Sequence, residues 1–78
     1  METVLSSQLT EFQKKHDVMA AFRDVNEAVE VAEMRTKKTK VTYKVVKLEY
    51  DDGSVDLNAK TISEQRLGVD FLVVVEKP

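Results

Sequence analysis

The chain has 78 residues, 12 Lys and Arg against 14 Asp and Glu, a net charge of −2 and no cysteine. That length bounds it to one domain, residues 1–78, with a thin core, and the missing thiols exclude disulfides and thiolate metal sites together. The charge balance excludes a global attraction to nucleic acid or to an anionic membrane.

No stretch is fit to cross a membrane as a helix: the longest apolar run, residues 71–75, is far short of the ~20 residues required. The start, Met1, Glu2, Thr3, Val4, lacks the basic segment and apolar core of a secretory signal, so the expectation is a cytoplasmic protein.

Residues 1–35 contain no Gly or Pro, which favours helix. Leu5, Leu9, Phe12, His16 and Met19 form one apolar series at spacings of three and four. Val18, Phe22, Val25, Val29 and Ala32 form a second. The two stripes fall on different sides of one straight helix. They predict two helical segments, 3–15 and 18–36, with Asp17 capping the second; one long helix is the alternative. Each register lasts only about two heptads, so the reading is an amphipathic helix on a sheet rather than a coiled coil.

From Lys40 the pattern changes to period two, with Val, Thr and Tyr enriched. Asp52 and Gly53 suit a two-residue type I′ turn. That turn pairs Tyr50 with Val55, Leu48 with Leu57 and Val46 with Ala59, which puts apolar residues together on one face. Thr61 and Glu64 match a capping box, predicting a helical turn at 62–67 that ends before Gly68. Residues 69–76 form a last strand that is apolar on both faces, as expected of a strand covered on both sides. The predicted fold is α+β: N-terminal helical segments packed on a three-stranded, mainly antiparallel sheet, in the order helix, helix, strand, strand, short helix, strand.

If Val46, Leu48 and Tyr50 face the helices, then Val41, Tyr43, Val45, Leu72 and Val74 share the opposite face. Five apolar side chains there need a cover. A bulge near Val45 and Val46 would turn some inward, the first helical segment could wrap round, or a second chain could pack there. The last makes these five residues a partner interface.

Little here carries chemistry. His16 is the single histidine and has no Cys or second His to share a metal. No nucleophile motif surrounds any serine. Asp51, Asp52 and Asp56 miss the calcium-loop spacing, and turn chemistry accounts for Asp51 and Asp52. Gly53 and Gly68 cannot build a phosphate-cradling loop. No catalytic, cofactor or metal residue is expected. The basic series from Arg35 to Lys47 is the one alternative: Lys38, Lys40, Lys44 and Lys47, with Tyr43 interleaved, could contact phosphates and stack a base. Lys37 and Lys38 equally suit a helix C-terminus. The expected function is a small non-enzymatic interaction or regulatory protein that forms a homodimer. By size and class it resembles accessory proteins of bacteria and their phages. A nucleic-acid-binding module is the alternative.

Overall fold

The computed structural model describes residues 1–51 and 69–78. Strand β1 (Thr3–Leu5) leads through a 3-10 turn (Ser6–Gln8) into a short helix, α1 (Leu9–Phe12). Strand β2 (His16–Phe22), helix α2 (Val25–Thr39) and strands β3 (Tyr43–Glu49) and β4 (Val69–Glu76) follow. Among the described residues this is a small α+β fold with two helices and a mixed four-stranded sheet. The sheet order is β1-β3-β4-β2. β1 runs parallel to β3, and β4 is antiparallel to both β3 and β2.

The N-terminal half corrects two sequence expectations. Residues 16–22 form a strand, and the first helix is reduced to the 3-10 turn and α1. A bulge hides the strand from a reading by alternation. Val18 opposes Val74 but Ala20 opposes Val73, so Met19 is an extra residue in β2. An inserted residue shifts the side-chain alternation by one. Val18 and Ala21 therefore share one face of the sheet while Ala20 and Phe22 share the other, so Val18 and Phe22, neighbours in the second apolar series, point to opposite faces. The bulge lies here, and β3 runs against β4 in unbroken register, so no bulge occurs near Val45 and Val46.

Helix α2 begins at Asp24, not Asp17. Asp24 is extended (φ −98°, ψ 119°) and its carboxylate accepts from the Asn26 N–H at 2.8 Å, satisfying one of the helix's free amides. Glu27 in the first turn and Lys37 and Lys38 in the last complement the helix dipole. Lys40 ends the helix in the left-handed region (φ 64°). The chain then turns back: the Tyr43 N–H donates to Thr36 Oγ1 at 2.9 Å, and Thr39 Oγ1 donates to the Arg35 carbonyl at 2.8 Å.

The sheet is covered on both faces. On one, Val46, Leu48, Tyr50, Leu72 and Val74 are buried with Val4, and Leu9 and Phe12 of the α1 segment pack on them. On the other, Ala28 and Ala32 of α2 lie against Val73, with Tyr43, Val45 and Phe71 beside them. β4 is an inner strand, which accounts for its apolar residues on both faces.

The predicted turn at Asp52 and Gly53, the strand at 55–59 and the helical turn at 62–67 lie outside the described residues. Leu48 already has Val4 on one side and Asp70 on the other, so it has no free edge for its predicted partner Leu57.

Candidate functional site

The five residues expected to form one interface do not share a face. Directly opposed residues in a sheet point the same way. Val46 opposes Leu72 and Lys44 opposes Val74, so Leu72 and Val74 belong with Val46 and Leu48, and both are fully buried. Tyr43 and Val45 point to the α2 side and are half-buried, while Val41 precedes β3 and is 51% exposed. The sequence argument failed at the pairing of β3 with β4, because parity within one strand says nothing about which parity of the next strand it meets.

Among the described residues, a groove of about 820 Å³ lies open between α2 and the start of β3. Its apolar wall comes from Val29 and Met34 on the helix and from Tyr43 and Val45 on the strand. Met34 is 57% exposed and Val29 37% exposed. Glu30, Glu33 and Lys37 rim it from the helix. The turn after α2 fixes the two walls: Thr36 holds the Tyr43 backbone, and the Arg35 guanidinium lies 5.9 Å from the centre of the Tyr43 ring. β1 pairs with β3 only at residues 47–49. Tyr43, Lys44 and Val45 therefore have no strand neighbour on that side among the described residues.

Sequence reasoning found Tyr43 and Val45 but missed Val29 and Met34 as groove residues. Val29 stood in a stripe assigned to the core, and Met34 stood in none. The available signal was a Met spaced four from Glu30 and three from Lys37, an apolar residue in a charged helical stripe.

The four lysines of the alternative reading do not form one surface. Lys38 is in the last turn of α2 and Lys40 is its left-handed cap. Lys44 and Lys47, three apart in a strand, point to opposite faces. Lys44 lies 3.4 Å from Glu2 and Lys47 lies 3.1 Å from Glu49. His16 stacks on Phe12 with ring centres 4.2 Å apart, and its Nδ1 lies 3.3 Å from the Phe12 carbonyl oxygen.

Two other polar arrangements hold the fold. Asp51 accepts from Ser6 Oγ at 2.8 Å, the Ser7 N–H at 3.0 Å and Ser7 Oγ at 2.7 Å. These bonds favour its ionised form and hold its carboxyl below the usual value. In the core, Tyr50 Oη donates to the buried carboxyl of Asp70 at 2.7 Å. No group of three or more His, Cys, Asp or Glu arranged to hold a metal occurs among the described residues. No helix among them is long and apolar enough to cross a membrane.

The fold and groove define a class, a small α+β chain with an open, charge-rimmed apolar surface. Compared with protein-family models, with curated proteins and with solved structures, the chain shows no match.

Proposed function

We propose that the chain is a small non-enzymatic interaction protein that works through protein–protein contacts at the groove between α2 and β3. The observation that carries this reading is the pairing of an apolar floor with a rim of both charge signs. Val29, Met34, Tyr43 and Val45 supply the floor, and Glu30, Glu33 and Lys37 the rim. An apolar centre with Met and aromatic residues inside a polar rim is the anatomy of a protein interface. Thr36, also in the lining, holds the Tyr43 backbone and so fixes the strand wall against the helix.

Met34→Asp tests this reading, because Met34 is exposed and its replacement leaves both core clusters intact. Tagged wild-type and variant chains are compared in pull-downs from the native host. Proteins retained by the wild type are expected to be lost from the variant. Identical retention by both, or nucleic acid as the retained species with release by moderate salt, would contradict the reading.

A further inference from the structure

We infer that the groove's partner is a second copy of this chain, with the two α2 helices packed antiparallel about a two-fold axis beside Met34. This rests on the reading of the groove as an interface and specifies what fills it. Glu30, Met34 and Lys37 follow one another at spacings of four and three on α2, so they lie on one stripe, and all three line the groove. The stripe reads acid, apolar, base over two turns, about 10.5 Å. Reversed, it reads base, apolar, acid. An antiparallel copy therefore sets Glu30 of each chain against Lys37 of the other, with the two Met34 side chains meeting between them. A parallel copy would set like charges together.

The wider helix has the same asymmetry. Glu27, Glu30 and Glu33 occupy its first part, and Arg35, Lys37 and Lys38 its last. A two-fold axis makes the contact self-complementary, as isologous dimers require. Met34 is the adaptable apolar residue at the centre, and Val29 adds apolar surface to the same wall. The opposite edge of the sheet is a poorer seam, because the extra residue at Met19 distorts β2 and disfavours pairing of one edge with another.

The experiment is a charge exchange between chains, read by sedimentation over a concentration range. The wild type is expected to shift from one chain mass to two as concentration rises. Glu30→Lys and Lys37→Glu each place two like-charge contacts in the dimer, and each is expected to weaken it by about tenfold. Mixing the two variants restores opposite charges at both contacts, so the 1:1 mixture is expected to form a heterodimer near wild-type strength. The chain carrying both substitutions is expected to dimerise with itself.

A wild type that stays monomeric overturns the self-pairing, and the Met34→Asp comparison then still decides whether the groove binds another protein. A dimer indifferent to either variant overturns it by placing the contact elsewhere. Variants that weaken the dimer but are not rescued by mixing overturn the antiparallel arrangement.

Discussion

Asp51 shows how a residue read locally acquires a distant role. In the sequence it is a turn former beside Asp52 and Gly53. In the fold it binds Ser6 and Ser7, 45 and 44 positions away, and its own N–H donates to Ser6 Oγ at 3.1 Å. No periodicity reports such a contact. The bonds lower its pKa from the ordinary 3.8, chiefly through the Ser7 and Ser6 hydroxyls. A carboxyl depressed in the folded state adds stability that is fully present above its unfolded value and is lost as pH falls through the folded one. The double variant Ser6→Ala, Ser7→Ala is therefore expected to be less stable than wild type near neutral pH. The gap should narrow below about pH 3.8. Urea unfolding of both proteins at pH 7 and at pH 3 checks this, and a gap that widens in acid would show that the serines act in another way.

At the scale of elements, the strands from Tyr43 onward were legible and the N-terminal half was not. Alternation in 43–49 and apolar residues on both faces of 69–76 leave little choice but strand, and β4 is central as its pattern requires. Residues 16–22 misled because the Met19 bulge breaks the alternation that marks a strand. The cap at Asp24 is the same motif expected at Asp17, seven residues early. Helix α2 packs through small residues: Ala28 is fully buried and Ala32 nearly so, against Val73. This close approach predicts that Ala28→Leu overpacks the layer and costs about 1–3 kcal/mol. Thermal unfolding should register it as a fall of roughly 4–8 °C per kcal/mol. A variant as stable as wild type would mean that α2 does not lie so near β4.

For the whole molecule, the sequence indicated that an apolar surface would be left needing a cover, and it misassigned its members. Leu72 and Val74 are enclosed beneath the α1 segment, whereas Tyr43 and Val45 join Val29 and Met34 in a groove. The difference is one step of register between β3 and β4, which lies beyond any single strand's pattern. Among the described residues, both sheet faces are covered and an open apolar surface lies beside α2. The most direct measurement of that claim is the amide spectrum of the wild-type chain recorded over a dilution series. Concentration-dependent shifts are expected at residues 29–37 and 42–45, with β2 and the α1 segment unchanged. Shifts centred on β2 or on Leu9 and Phe12 would contradict the account, and a spectrum that does not change with concentration would contradict the self-pairing.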